Sequence, residues 1–405
     1  MILCNSSADS QQPHHPRSSN TGVASSNLRS GGVDYLRYSC WGKWTEKRFN
    51  RMLLLLQLGQ ERARSNESGS ASIEATTEGD NWEVLPHGSN TGLRHKFVVR
   101  WRDVVITFSG RQVGLPSHPN VQVEMASTHL MSVGCHIEAY GQVMAMLRST
   151  GMEVERTTVS RIDLCVDLVG RSMREFQDEI LGGQSIRRAT KYKIVGGRDV
   201  ETWQTFETGK KNMIRIYDKV EEVKSNPRKL AIMRQRRWGK CPDSAVRVEF
   251  QVTGDKLQKI GCGRSVGEVF ANLGAITDYF TGNWFRLADR RLDRKSKNQS
   301  KPGNSELWNN VVQAFHDWIG ADQGELTPVT ISRQTKDQTL SCLLGYASKW
   351  VAMNTVDQDE IDDIVTELFD WLSTGMFDES VAIKRCKVAS SQGVLPEESM
   401  HELPF

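Results

Sequence analysis

Three short segments place carboxylates, a tyrosine and cations at alternating positions. They are residues 161–167, 214–219 and 246–252. Apolar residues at every second position predict strands with one buried face. If the three strands lie in one sheet, a single surface would carry Arg161, Asp163, Cys165 and Asp167, then Arg215, Tyr217 and Lys219, then Arg247, Glu249 and Gln251. Carboxylates suit a hard divalent cation and a tyrosine hydroxyl can be a nucleophile, so the pattern indicates a phosphoryl-transfer site.

The same pattern has a second interpretation. Antiparallel strands with one exposed face often carry Arg, Asp and Glu as cross-strand ion pairs that do no chemistry. Asp163 and Asp167 would repel each other on one strand face, however, and Arg161 would relieve only part of that repulsion. Such a pair favours a bound cation. Strict alternation predicts that Asp218 points to the opposite face. Tyr192 is the alternative to Tyr217 as the nucleophile.

The composition restricts the class of protein. The chain has 405 residues, of which 38% are hydrophobic and 25% charged, as in ordinary soluble globular proteins. It contains neither an apolar run long enough for a membrane span nor a secretory signal pattern, so we expect a cytoplasmic protein with no membrane partner. The eight cysteines and nine histidines form no zinc-binding spacing, and phosphate-loop and Gly-x-Ser-x-Gly motifs are absent.

The charge is unevenly distributed along the chain. Residues 171–301 contain 29 Lys and Arg against 16 Asp and Glu, whereas residues 321–405 contain 6 against 15. A basic middle joined to an acidic end is typical of nucleic-acid binding with a separate interaction segment, although each block could also be a solvated surface. Within the predicted DNA-binding surface we place Arg161, Arg234, Arg236, Arg237, Lys240, Arg247, Arg290, Arg291 and Arg294.

The order of predicted elements indicates an α+β fold, with a mainly antiparallel sheet and helices packed on one face. We expect a disordered segment at 1–32, a catalytic domain at 33–310 and an acidic, mostly helical segment at 311–405. Predicted helices include 45–64, 173–181, a basic helix at 220–238 that Pro227 could interrupt, 266–279, and three near the C-terminus at 307–318, 340–352 and 359–372.

The motifs resemble a known family. Arg-Ile-Asp-Leu-x-x-Asp at 161–167, Ile-Arg-Ile-Tyr-Asp-Lys at 214–219, Arg-Val-Glu at 247–249 and Val-Asp-Tyr-Leu-Arg at 33–37 are similar to blocks of the trans-acting replication initiators of rolling-circle plasmids and filamentous phages. That family also contains relaxases of some integrative elements. The resemblance covers roughly residues 33–310 and leaves the acidic end unexplained.

The resemblance implies a topology like that of His-hydrophobe-His nucleases, with acidic residues replacing the histidine pair. It implies an enzyme that nicks and rejoins origin DNA, single-stranded or in a hairpin. Tyr217 would become joined to the DNA 5′ end, and the released 3′-hydroxyl would prime a host polymerase. Lys219 and Arg215 would activate the phenol or hold the phosphate, and Asp163, Asp167 and Glu249 would bind Mg²⁺ or Mn²⁺.

Several alternatives and partners stay open at this stage. A conjugative relaxase would use the same chemistry, and a non-catalytic DNA-binding regulator could keep the scaffold without the activity. A homodimer is suggested by the resemblance alone. The acidic end could recruit a host helicase or shield the basic surface before DNA binds.

Overall fold

The computed structural model describes residues 29–74, 81–90, 93–189, 191–196, 200–206, 212–292 and 302–319, together with Leu326 and Thr366. The predicted fold class is confirmed, because the described chain is an α+β structure built on a large antiparallel sheet with packed helices. The strands are β1 Arg29–Trp44, β2 Ala71–Glu74, β3 Asn81–Val84, β4 Phe97–Trp101, β5 Val104–Phe108, β6 Val121–Ala126, β7 Met152–Val169, β8 Ser185–Arg187, β9 Lys191–Gly196, β10 Val200–Phe206, β11 Met213–Asp218, β12 Ala245–Thr253 and β13 Phe285–Leu287.

Eleven of these strands form one sheet in the order β2-β3-β4-β5-β6-β1-β7-β12-β11-β10-β9, and β13 pairs with β8 separately. The helices are α1 Glu46–Ser65, α2 Ser127–Val133, α3 His136–Ser149, α4 Met173–Leu181, α5 Lys219–Lys224, α6 Pro227–Met233, α7 Gly254–Lys259, α8 Val266–Ala271, α9 Leu273–Asp278 and α10 Glu306–Ile319, with π-helical turns at Arg234–Trp238 and Tyr279–Trp284.

The main core lies on the apolar face of the central strands. Phe250 of β12 contacts the rings of Phe280, Trp284 and Phe315, which come from the second π-helical turn and from α10. Leu164 and Phe250 pair across β7 and β12, so both apolar faces meet the same layer of helices. Burying this face leaves the alternate, polar face of the same strands on the other side of the sheet.

A smaller apolar cluster covers one end of the polar face. The basic segment predicted as one helix is divided there into α5, α6 and the first π-helical turn. Asn226 caps α6 and Pro227 occupies its first turn, which favours a new helix start at this point. The cluster consists of Met131, Val220, Val223, Met233, Trp238 and Ala245. The polar face is therefore partly covered, a feature that the sequence did not predict.

Two further predicted helices differ from the structure. The helix predicted at 266–279 is divided at Asn272, whose side-chain amide donates to the Glu268 carbonyl and competes with regular helix geometry. Helix α10 crosses residue 310, the predicted domain boundary, and packs Trp308 and Phe315 into the core. The chain divides into two units, Met1–Thr330 and Ile331–Phe405. The predicted helices at 340–352 and 359–372, and most of the predicted segment 1–32, lie outside the described residues.

Candidate active site on the central strands

Strand pairing brings the three polar segments together. Strands β7, β12 and β11 are neighbours, and their pairing shows no register shift. Arg247 pairs with Asp167 and Tyr217, while Glu249 pairs with Cys165 and Arg215. Residues directly opposite each other across antiparallel strands share a face. The prediction that the strand residues of these segments share one face of one sheet is therefore confirmed, whereas Lys219 is the first residue of α5.

The hydroxyl of Tyr217 lies between an anion and a cation. It donates a hydrogen bond to Oε2 of Glu249 at 2.9 Å, and the Tyr217 hydroxyl oxygen accepts from Nζ of Lys219 at 3.4 Å. The Lys219 ammonium also lies 5.3 Å from the centre of the tyrosine ring. Tyr217 itself is partly exposed, whereas Glu249 and Lys219 are buried. This arrangement provides a proton acceptor for the phenol and a cation beside the oxygen that would carry the resulting charge.

Arg215 joins the two carboxylates of this region. Its Nη2 donates to Oδ2 of Asp163 at 3.1 Å and also to Glu249. Asp163 is further held by Arg161, whose Nε donates to Oδ1 at 2.8 Å. The Arg161 guanidinium in turn lies 4.3 Å from the centre of the Tyr35 ring. Asp163 and Glu249 thus both accept from the Arg215 guanidinium, and Asp163 also accepts from that of Arg161.

Burial raises the pKa of two groups in this cluster, the Asp163 carboxyl and the Tyr217 phenol. It raises the pKa of Asp163 to about 7, and the neighbouring Glu249 carboxylate adds to the effect against the opposing influence of Arg161. Burial, followed by the Glu249 carboxylate, raises the pKa of Tyr217 well above its ordinary value. Tyr217 is therefore a phenol at neutral pH in the resting site. It must lose its proton as it reacts, rather than beforehand.

Asp167 belongs to a separate buried network. Arg247 donates to both of its oxygens, at 2.5 and 2.9 Å, and to Oδ1 of Asp34 at 2.6 Å. The indole Nε1 of Trp238 donates to Oδ2 of Asp167 at 3.2 Å. Both Asp167 and Arg247 are completely buried. Although burial alone raises the pKa of Asp167, Arg247 holds that pKa below its usual value. This network lies beneath the first π-helical turn and borders the Tyr217 cluster, because Arg247 is directly opposite Tyr217 in the strand pairing.

Lys219 connects the Tyr217 cluster to the segment that follows it. Its Nζ contacts Oε2 of Glu222 at 2.7 Å, and Lys229 contacts the other oxygen of Glu222 at 2.5 Å. Burial and the nearby Arg247 lower the pKa of Lys219. Asp218, which was predicted to point to the opposite face, caps α5 by accepting a hydrogen bond from the Glu221 backbone N–H. Helix α5 therefore begins where the tyrosine strand ends and fixes the ammonium beside the phenol.

The predicted carboxylates do not fit a metal site that uses all three. The oxygens of Asp167 accept from Arg247 and Trp238, whereas Asp163 and Glu249 are bridged by Arg215. Within the described part of the chain, no group of three or more His, Cys, Asp or Glu residues is arranged to hold a metal ion. An ion held by Asp163 and Glu249 alone would compete with Arg215 for the same oxygens. Binding of Mg²⁺ or Mn²⁺ by these two residues stays a prediction.

The predicted DNA-binding residues that the structure describes fall into three groups. Arg161 and Arg247 are held in the ion pairs described above. Arg234, Arg236 and Lys240 are exposed on and beside the first π-helical turn, and Arg290 and Arg291 are exposed after β13. Arg237 is partly buried, with its guanidinium close to Gly32, where an added Cβ would lie 1.9 Å from Nη2. Arg294 lies outside the described residues.

Sequence reasoning missed three partners of the site. Asp34 lies at a register shift between Val33 and Tyr35 of β1, and such a bulge can redirect a side chain. Trp238 and Glu222 lie within the segment that was predicted as one basic helix at 220–238. No pattern in the sequence linked Asp34 to Arg247.

Among the comparisons with known proteins, similarity was found only to solved structures. No family model matches the chain, and no curated protein matches it. A solved structure described as the rolling circle replication initiator protein from Geobacillus stearothermophilus is similar over 71% of this chain and 96% of that chain, with a TM-score of 0.42 and 15% identity. Among the described residues, no helix is both long enough and apolar enough to cross a membrane.

Proposed function

We propose that the chain nicks and rejoins DNA at a replication origin and so starts rolling-circle replication. The observation that carries the proposal is the hydrogen bond from Tyr217 to Glu249, with Lys219 and Arg215 on either side. A nucleophile bonded to a base, with cations placed for a phosphate, is the arrangement that phosphoryl transfer to a tyrosine requires. The motif resemblance of residues 161–167, 214–219 and 247–249 agrees with this reading.

The reaction can be written with these residues alone. The Tyr217 oxygen attacks the scissile phosphorus and transfers its proton to Glu249. A bond forms between the phenol oxygen and phosphorus, and the bond from phosphorus to the 3′-oxygen breaks. The leaving 3′-oxygen takes a proton from water, the hydroxide so formed takes the proton from Glu249, and the DNA 5′ end stays joined to the tyrosine. Rejoining is the reverse, with the free 3′-hydroxyl attacking the phosphotyrosine.

The cations have distinct roles in this proposal. Lys219 lies 3.4 Å from the phenol oxygen and would stabilise the phenolate as it forms. Arg215 is partly exposed and presents the planar guanidinium that binds phosphate oxygens well. The exposed Arg234, Arg236, Lys240, Arg290 and Arg291 would hold flanking phosphates. The 3′-hydroxyl would serve a host polymerase, and a host helicase and a second copy of the chain are further proposed partners.

A covalent-trapping assay tests the proposal. Full-length protein is incubated with circular single-stranded DNA that carries its own origin region, with Mn²⁺ or with a chelator, and run on a denaturing gel. We expect an adduct that disappears in Tyr217→Phe and persists in Tyr192→Phe. The chelator lane tests separately the proposed use of Mg²⁺ or Mn²⁺ by Asp163 and Glu249.

Two other outcomes of the trapping assay would contradict part of the proposal. An adduct lost only in Tyr192→Phe would keep the enzyme but refute Tyr217 as its nucleophile. Tight binding without nicking or adduct would refute the enzyme and favour the DNA-binding regulator.

A further inference from the structure

A cavity of about 570 Å³ lies at the end of the sheet where β9 is the edge strand. It is bordered by α4, β8, β9 and β10, and none of its residues belongs to the Tyr217 cluster. Its lining includes Leu181, Arg187, Tyr192 and Trp203, the residues on which the inference depends. A cavity of this size suits a small organic group, and its lining combines an aromatic ring, aliphatic carbon and a cation.

Tyr192 is the exposed wall of this cavity. It is 52% exposed although it is a large aromatic residue, and the guanidinium of Arg187 lies 4.9 Å from the centre of its ring. Leu181, on the neighbouring helix α4, is 57% exposed. An exposed aromatic ring backed by an arginine is the platform on which proteins stack unpaired bases.

Trp203 forms the inner wall of the cavity and packs against Phe285. It is only 2% exposed, and the centre of its ring lies 5.3 Å from that of Phe285. Among the described residues, none accepts a hydrogen bond from its buried indole N–H.

The position of the cavity relates it to the Tyr217 cluster. Trp203 pairs with Ile216, and Tyr217 pairs with Thr202, so Trp203 and Tyr217 lie on opposite faces of adjacent strands. Two strand spacings, about 10 Å, separate β11 from the edge strand β9. Lys191 and Lys193 alternate with Tyr192 along β9 and therefore lie on the Tyr217 face. A single strand leaving Tyr217 would meet these lysines before it reached the edge and the cavity.

We infer that this cavity binds one unstacked nucleobase of the DNA strand that flanks the nick, with the base stacked on Tyr192. The inference rests on the proposed function, because it assumes that single-stranded DNA lies at Tyr217. It assigns to Tyr192 a binding role instead of the nucleophilic one that the sequence left open. A free nucleotide would offer the same chemistry, and the test separates the two sources.

The test measures the affinity of full-length protein for two probes by fluorescence anisotropy. One probe is (dT)₂₀ and the other is an abasic strand of the same length, which keeps the phosphates and removes the bases. We expect Tyr192→Ala and Tyr192→Leu to weaken (dT)₂₀ binding between about 5-fold and 150-fold, the range for losing one base–aromatic stack. Neither variant should change binding of the abasic strand, and Tyr192→Phe should bind both probes as the wild type does.

Matched variants separate stacking from charge and from misfolding. Leu54→Ala removes an equally exposed apolar side chain from α1 and should leave both affinities unchanged. Lys191→Gln should weaken both probes and reduce the salt slope by about 0.7, whereas Tyr192→Ala should leave that slope unchanged. Circular dichroism melting checks that each variant is folded.

Three results would overturn the inference. Equal losses for (dT)₂₀ and the abasic strand would show that Tyr192 positions phosphates, and full affinity in Tyr192→Leu would show a requirement for bulk only. Calorimetric binding of thymidine 5′-monophosphate that depends on Tyr192, with an unchanged ratio between the two strands, would assign the cavity to a free nucleotide. None of these measurements needs nicking, so an absent Tyr217 adduct would refute the proposed enzyme and leave the base preference to be judged by itself.

Discussion

Replacing Arg247 with methionine tests whether the Asp167 network is structural. Arg247 is completely buried and donates three hydrogen bonds to Asp167 and Asp34. Methionine has a similar length and no charge, so Arg247→Met removes the guanidinium that binds both carboxylates and leaves them with the weaker influence of Arg237 and Lys219. Asp167 is also completely buried and keeps only the Trp238 donor among the contacts described above.

The expected loss follows from the cost of an uncompensated buried charge. Removing one partner of a buried ion pair costs about 3–5 kcal/mol, whereas domains unfold with about 5–15 kcal/mol in total. We therefore expect Arg247→Met to lose about 3–5 kcal/mol in the free energy of unfolding, measured by urea denaturation followed by tryptophan fluorescence. Arg234→Met, at an exposed position of the adjacent π-helical turn, should change it by less than about 0.5 kcal/mol.

A double variant identifies the cause of the loss. Asp167→Asn removes one of the two stranded charges, so Arg247→Met combined with Asp167→Asn should be more stable than Arg247→Met alone. A loss in Arg247→Met no larger than that of the exposed control would refute the reasoning. It would mean that Asp167 does not depend on Arg247, and the predicted role of Asp167 as a metal ligand would regain support.

Three further predictions concern the Tyr217 cluster. Glu249→Gln should slow single-turnover adduct formation by about 10²–10⁴-fold, because the amide cannot take the phenol proton; an unchanged rate would exclude Glu249 as the base. Lys219→Met should slow single-turnover adduct formation, because the ammonium beside the oxygen on which charge develops is lost; an unchanged rate would separate Lys219 from the chemistry. Burial raises the pKa of Asp163 to about 7, above roughly 3.9 in unfolded chains, so the native state holds its proton more tightly between these values. Urea midpoints should therefore show the wild type losing stability relative to Asp163→Asn as pH rises from 4.5 to about 7, and a constant difference would contradict the assignment.

The central strands and their shared face were predictable because local patterns determined them. The period of two assigned each side chain to a face, and pairing without a register shift between β7, β12 and β11 preserved that assignment across three strands. Helix α4 was predicted with its observed bounds, since Ser172 and Glu175 form a capping box that marks its start. In both cases the signal lies within a few residues of the feature.

The partners of the charged groups were not predictable, because they depend on contacts between distant segments. Asp34 and Arg247 are 213 residues apart in sequence, and a bulge in β1 contributes to their meeting. The cover over Asp167 needs Trp238, which lies in a π-helical turn after Pro227 has ended the previous helix. Hydrophobic periodicity predicts neither a bulge nor a π-helical turn.

The two interpretations of the sequence pattern, a reactive site and a lattice of ion pairs, apply to different parts of one face. Asp167 and Arg247 neutralise each other in the buried network, whereas Arg215 is shared between two carboxylates and is partly exposed. A phosphate that reaches Tyr217 would therefore compete with Asp163 and Glu249 for Arg215. A proton on Asp163, whose pKa is raised to about 7, would weaken its hold on Arg215. We therefore expect the partly exposed Arg215, and not the fully buried Arg247, to bind the phosphate.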